Sequence, residues 1–256
     1  MQDRTIDGQA AIAALMPLAD SFDRSWSILG SGEAEERFLL FFDQPDQRVE
    51  AVADAAAMLG LPEDAIARWR AGLSGADAIG IAVNRGLTSI RLYLQYWDLL
   101  VNRVEAGNLD DFVLYRGIKG LPGGGLRDDQ YVCTPIAPHS TFWPPLEHSM
   151  TGVGLPAPAL AAALADLDAE TCIFTRTRNA ARSSWLATVR RAELDRGAWL
   201  EALAGLPDRD WATDLRRHAE TADLLHLAGG RDSAKGAFAT IYFTATADDL
   251  LTGLAL

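Results

Sequence analysis

The side chains best suited to chemistry here are arginines and aromatics that alternate along short apolar segments. In residues 88–97 (TSIRLYLQYW), Arg91, Tyr93, Gln95 and Trp97 share one side, and Ile90, Leu92, Leu94 and Tyr96 share the other. In 37–43 (RFLLFFD), Arg37, Leu39, Phe41 and Asp43 oppose Phe38, Leu40 and Phe42. In 238–244 (FATIYFT), Phe238, Thr240, Tyr242 and Thr244 oppose Ala239, Ile241 and Phe243. A period of two is that of a β-strand, so each segment predicts a strand with one apolar and one mixed face. An arginine fork matches the oxygens of a phosphate or a carboxylate. Arginine is also in excess: Lys119 and Lys235 are the only lysines among 23 basic residues. GC-rich codon usage explains that ratio as readily as anion binding does, so only position decides.

Other chemistries lack their residues. No GxxxxGK[ST] phosphate loop and no GxSxG elbow occur, and LPGGG at 121–125 lies between two strand patterns, where it predicts a flexible turn. The four histidines, His139, His148, His218 and His226, show no metal spacing, and Cys133 and Cys172 stand alone. The acidic pairs Asp110-Asp111, Asp128-Asp129 and Asp248-Asp249 are expected to cap helices or solvate turns. A net charge of −12 is the wrong sign for a nucleic-acid partner. With 49% hydrophobic residues and only two cysteines, the 256-residue chain is neither disordered nor a disulfide scaffold. No apolar run approaches the roughly 18 residues of a membrane span, and the N-terminus lacks the pattern of a signal peptide. The expectation is one domain over 1–256, in the cytoplasm, with no membrane partner. The sequence carries no indication of oligomeric state.

These strands need a frame. Strand pairs are predicted at 22–29 with 36–43, 78–84 with 88–97, 112–118 with 130–136, 171–178 with 184–191, and 223–228 with 237–245. Helical patterns fall at 4–20, after Pro45 with a break near Gly60 and Pro62, at 98–106, around 158–167, across 193–221 with a break at Gly205 and Pro207, and at 247–254. A Pro-rich passage fills 135–158. Five closely linked pairs exclude parallel βαβ winding. About ten antiparallel strands tend to curl or close, and helices between the pairs would cover one face. The expected class is α+β: a ten-stranded antiparallel barrel of five hairpins, wrapped by helices on its apolar faces and lined by the mixed ones. An open sheet with a wet polar face is the alternative, although Phe41, Tyr93, Trp97 and Tyr242 are a heavy aromatic load for water.

The order of hairpins and helices, with RFLLFF (37–42), GIAVNRGLTSIRLYLQ (80–95) and ATIYF (239–243), resembles the ABBA prenyltransferases over about residues 20–245. The branch it looks most similar to is the cyanobactin peptide prenyltransferases. The resemblance implies an enzyme whose barrel encloses a prenyl diphosphate. It would move a dimethylallyl or longer group to an Arg, Trp, Tyr or His side chain of a ribosomal peptide. Magnesium would ride on the diphosphate. A small aromatic acceptor, or a non-catalytic barrel binding a hydrophobic ligand or peptide, are the alternatives.

The resemblance also distributes roles. Arg37, Arg91, Tyr93, Tyr131, Arg190 and Tyr242 would bind the diphosphate, with Thr188 and Arg190 on the inward face of the eighth strand. Asp23 stands where the family carries a catalytic acid, commonly a glutamate one methylene longer. Phe41, Trp97, Thr188 and Phe238 would wall the prenyl pocket. Two plainer assignments compete: Arg37 could pair with Glu35 or Asp43, and Asp23 could be a cap or turn residue.

Overall fold

The structure is a computed structural model that describes residues 2–121, 125–135, 139–163, 173–190 and 195–255. Ten strands form one closed antiparallel barrel in which each strand pairs with its neighbour in sequence and β1 closes on β10. The hairpins are β1 (Ser21–Leu29) with β2 (Ala34–Phe42), β3 (Ala78–Asn84) with β4 (Ile90–Gln95), and β5 (Phe112–Gly120) with β6 (Leu126–Thr134). They continue as β7 (Ile173–Arg178) with β8 (Arg182–Thr188), and β9 (Leu224–Asp232) with β10 (Gly236–Ala245). The predicted closed barrel is therefore the one observed, and the open sheet is not.

Helices fill the connections. They are α1 (Gln2–Leu15), α2 (Pro45–Met58), α3 (Glu63–Arg70), α4 (Trp97–Glu105), α5 (His139–Gly152), α6 (Ala157–Ala163), α7 (Arg196–Ala204), α8 (Asp210–Ala219) and α9 (Ala247–Leu254). Because every short turn joins strands and the helices join hairpins, the barrel has a hairpin end and a helix end. The hydrophobic core lies outside the barrel. Phe38, Leu40, Phe42, Ile79, Ile81, Leu92 and Leu94 pack against α1, α2, α3 and α9. Trp26, Ile241, Phe243 and Trp185 pack against α5 to α8. Burying these apolar faces on both partners is the main favourable term holding the ring to the barrel. At Gly253 on α9 a Cβ would lie 2.2 Å from the Phe38 ring, so only glycine permits that approach.

Several boundaries differ from those predicted. β4 stops at Gln95, because Tyr96 turns away to donate its hydroxyl to Gly72 O at 2.7 Å. The Asp77 carboxylate then accepts from Asp98 N at 2.7 Å at the start of α4, so Trp97 belongs to a helix. The Pro-rich passage contains α5 despite Pro144 and Pro145 inside it. Packing of buried Leu146 and Met150 in the core outweighs the backbone bonds that proline removes. β6 and β9 run further toward the hairpin end than expected, through Asp128, Asp129 and Asp232. The Asp128-Asp129 pair thus lies in a strand, not at a cap or turn; Asp249 does complete a capping box with Thr246. Cys133 is buried and unpaired, whereas Cys172, residues 122–124, and the ends of the predicted helix at 158–167 and strand at 184–191 lie outside the described residues.

Candidate functional site

The barrel encloses a cavity of about 640 Å³. Its space comes from small inward residues between large ones. Gly80 on β3 stands between Phe41 of β2 and Tyr93 of β4. Gly117 on β5 faces Tyr93, and a Cβ there would come within 3.0 Å of Arg91 Cδ and 3.1 Å of the Tyr93 ring. The mixed faces predicted for the strands do point inward: Arg37, Leu39, Phe41, Arg91, Tyr93, Gln95 and Tyr242 all line the cavity.

The hairpin end is cationic. Arg91 donates to Tyr131 Oη at 2.8 Å and to Tyr93 Oη at 3.3 Å. Burial opposes its charge, but Tyr93, Tyr131 and Asp129 around it raise its pKa well above the ordinary value. Burial pushes the Tyr93 phenol up, yet Arg91, Arg37 and Arg182 together bring it below its usual value. Arg182 donates to Ser184 Oγ at 2.7 Å and lies 4.8 Å over the Phe238 ring. Arg37 pairs with Glu35, which also takes Lys235, so the plainer assignment for Arg37 is present alongside its place on the cavity wall. Lys119 is pushed down to about 8, first by burial and then by Arg91, Arg37, Lys235 and Arg127.

The middle is aromatic. Tyr93 and Tyr131 lie 6.4 Å apart, Tyr115 and Tyr131 6.3 Å apart, and Tyr242 meets His226 edge-on at 5.6 Å. Ring faces at these separations can shelter a cation from water.

The helix end carries Asp23, Asp43, Glu105 and Arg190. Asp23, on β1 opposite Leu39 and Thr244, is only 2% exposed. Its Oδ2 has no hydrogen-bond partner. Burial raises its pKa to about 7, against a smaller lowering by Arg190. It is a buried strand residue, not a cap or turn. His226 shares a 2.9 Å hydrogen bond with Thr188 Oγ1 and is pushed down to about 3 by burial and by Arg190, which keeps it neutral. Tyr115 is pushed up to about 12, mainly by burial. Trp97 and the α4 residues Leu100, Val101, Val104 and Glu105 complete the wall, and Val101 and Val104 are partly exposed.

Two assignments from the sequence need correction. Arg190 lines the cavity but is not on β8, which ends at Thr188; it sits in the following turn at the helix end, near Asp23, away from Arg37 and Arg91. Phe238 does not line the cavity; it lies beneath Arg182 at the hairpin end. Tyr131, Tyr242, Phe41, Trp97 and Thr188 all reach the cavity. Sequence reasoning missed Lys119, Arg127, Asp129 and Arg182, which extended strands carry into the barrel from stretches read as turns. It also missed Tyr115 and His226, whose inward registers were legible in principle. Among the described residues, no group of three or more His, Cys, Asp or Glu side chains is placed to hold a metal ion. No described helix is long and apolar enough to cross a membrane.

No protein-family model and no curated protein matches the sequence. Solved structures match the fold. The crystal structure of 5-dimethylallyltryptophan synthase from Streptomyces coelicolor aligns with a TM-score of 0.58 at 11% identity, covering 94% of this chain and 89% of that one. The prenyltransferase PriB, in a ternary complex with L-tryptophan and dimethylallyl thiolodiphosphate, aligns at 0.59 and 14% identity, over 90% and 82%. The 6-dimethylallyltryptophan synthase from Micromonospora olivasterospora, in complex with DMASPP and Trp, aligns at 0.57 and 12% identity, over 94% and 96%. The fold is that of the ABBA prenyltransferase barrel.

Proposed function

We propose that this chain is a prenyltransferase that binds an isoprenoid diphosphate by its cationic end and alkylates an electron-rich acceptor held near Asp23. The carrying observation is the order along one cavity: Arg37, Arg91 and Arg182, then tyrosine rings, then a buried carboxylate with an unpartnered oxygen. A barrel that only stored a lipid would have no use for converging cations. The named neighbours bind or act on tryptophan and dimethylallyl donors, which favours an aromatic acceptor.

In the reaction, the bond between the allylic carbon and the diphosphate oxygen breaks, and the diphosphate leaves with the electron pair. Arg37, Arg91, Lys119 and Arg182 neutralise its growing charge through charge-assisted bonds. Tyr93, Tyr131 and Tyr242 face the allylic cation and exclude water. The acceptor's π electrons form the new bond, and its displaced proton passes to the Asp23 carboxylate. Magnesium, when present, would travel on the donor and add positive charge at the diphosphate, beside Arg37, Arg91 and Arg182.

An acceptor presented on a peptide, as in the cyanobactin branch, is the finer reading. Its support is the rim of α4, where Leu99, Val101 and Val104 extend apolar surface beyond the cavity. The test is mass spectrometry of free tryptophan and of Trp-, Tyr-, Arg- and His-containing peptides with donors of five to fifteen carbons, with magnesium or a chelator. Transfer to an aromatic acceptor in both conditions is expected. No transfer with any donor would overturn the enzymatic reading in favour of a binding barrel.

A further inference from the structure

Inside the cationic end stands a carboxylate that an anion site would not be expected to contain. Asp129 of β6 points into the barrel and is 0% exposed. Its Oδ2 lies 3.3 Å from Arg91 Nη2 and 3.0 Å from Arg127 Nε. Neither contact has hydrogen-bond alignment, so both are charge contacts. Its Oδ1 accepts from Asn179 Nδ2 at 2.9 Å, in the turn between β7 and β8. Arg127 continues to Asp232 Oδ2 at 2.8 Å, and Asp232 accepts from Ala234 N at 3.0 Å. Arg91 reaches Tyr131 on its other side. One chain of contacts therefore ties two turns, three strands and two guanidiniums together through two carboxylates, with Asp129 at its centre.

We propose that Asp129, braced by Arg127 and Asn179, is a positioning residue for donor binding, which fixes the Arg91 guanidinium in place before an anion arrives. This assignment rests on the donor-site reading above. Arg37, Arg91, Arg127 and Lys119 repel one another when the cavity holds no anion; the Lys119 pKa is lowered first by burial and then by these neighbours. Long arginine side chains freed from a partner would spread apart and would have to be re-ordered on binding. A donor set held in place beforehand avoids that cost.

The opposite expectation is equally physical. A carboxylate near a bound diphosphate repels it, so charge alone predicts that removing Asp129 tightens binding. The two views differ in sign, which makes the experiment decisive. Calorimetric titration with inorganic pyrophosphate and with dimethylallyl diphosphate is run on wild type, Asp129→Asn, Asn179→Ala, Arg91→Ala and the double variants with Arg91→Ala. Positioning predicts about tenfold weaker binding or worse in Asp129→Asn, and a loss of a few-fold in Asn179→Ala. Both losses shrink toward nothing in the Arg91→Ala background, because they act through that side chain. A merely structural role would leave the losses intact there and so overturns the proposal. Equal or tighter binding in Asp129→Asn also overturns it. If Asp129→Asn does not fold, Asn179→Ala and its double variant decide, and unchanged affinity in Asn179→Ala overturns the proposal. Wild type that binds neither ligand refutes the donor site itself, an outcome separate from the others.

Discussion

The two ends of the barrel cavity solve the burial of polar groups in opposite ways. At the hairpin end, charges survive burial because they come in networks: Arg91 with Asp129, Arg127 with Asp129 and Asp232, Arg37 with Glu35. At the helix end, burial works against the charged forms of Asp23 and His226. Asp23 is raised to about 7 and His226 lowered to about 3, so near neutral pH the histidine is uncharged and the carboxyl is poised between forms. A group that must grip a permanent anion benefits from fixed charge. A group that must accept a proton benefits from a pKa near the working pH. On the proposed function, the difference between the ends is the difference between holding a leaving group and moving a proton.

The largest effect that could break this division is at Asp23. Asp23→Asn should cut turnover by about 10²–10⁴-fold, the usual worth of a positioned general base, while donor affinity stays within a factor of about two. In wild type, turnover should rise with pH through about 7 as the carboxyl ionises. Stability runs the other way. The folded state holds this proton more tightly than the unfolded chain, whose value is near 3.8. The contribution is fully present below that value and is lost as pH rises through about 7. The melting temperature of wild type should therefore fall more than that of Asp23→Asn between about pH 5 and pH 8. Full activity in Asp23→Asn, or parallel melting profiles, would remove Asp23 from the proton-transfer role.

Second in size is Arg91. Arg91→Ala removes a guanidinium held by Tyr131, Tyr93 and Asp129, leaves that carboxylate short of a partner, and should weaken pyrophosphate binding about a hundredfold. Arg37→Ala should cost less, because Glu35 already engages Arg37 and water reaches it. Equal losses from both variants would show the hairpin end to be a diffuse positive field, not a built cradle.

How far the sequence carried follows from the same contrast. Barrel closure and the inward faces of β2, β4 and β10 were legible because apolar residues alternate there with arginine and tyrosine. The charged ends of β6 and β9 were not. Arg127, Asp129 and Asp232 look like turn chemistry until ions from distant strands meet inside the barrel, and such pairing is invisible to local periodicity. The start of α4 was misplaced because its stabilising group, Asp77, lies twenty-one residues from the amide it binds. Arg190 was placed on strand eight because that strand was expected to continue to it, when it ends at Thr188.

A third and smaller effect concerns the aromatic zone between the ends. Phe41 and Trp97 line the cavity where the prenyl chain would lie beyond the tyrosines. Phe41→Gly or Trp97→Gly should shift donor preference toward a chain one isoprene unit longer, with pyrophosphate affinity unchanged. Phe238→Gly should not, since that ring lies under Arg182 and off the cavity wall. Competition between donors of different length, read by product mass, separates these cases. A length shift from Phe238→Gly alone would place the prenyl pocket at the hairpin end and reverse the orientation proposed for the donor.

The smallest effect is expected from Lys119, and it tests whether the hairpin end acts as one electrostatic unit. Lys119 sits on β5 opposite Arg91 and Arg127 across the strand pairs. Burial and its cationic neighbours push its pKa down to about 8, so without a ligand it loses its proton near that pH. A bound diphosphate supplies the negative charge those neighbours lack and favours the protonated amine, so binding above about pH 8 takes up a proton. By linkage, donor affinity should fall as pH rises from about 7 to 9, by a few-fold, because one of several cations is being lost. The arginines do not titrate in that range. Pyrophosphate itself gains charge over the same interval, which works against the fall, so the informative quantity is the difference between wild type and Lys119→Met at each pH. That difference should be largest near pH 7 and close to nothing near pH 9. A constant difference across the range would mean that Lys119 acts through packing, and that the cationic end consists of the arginines alone.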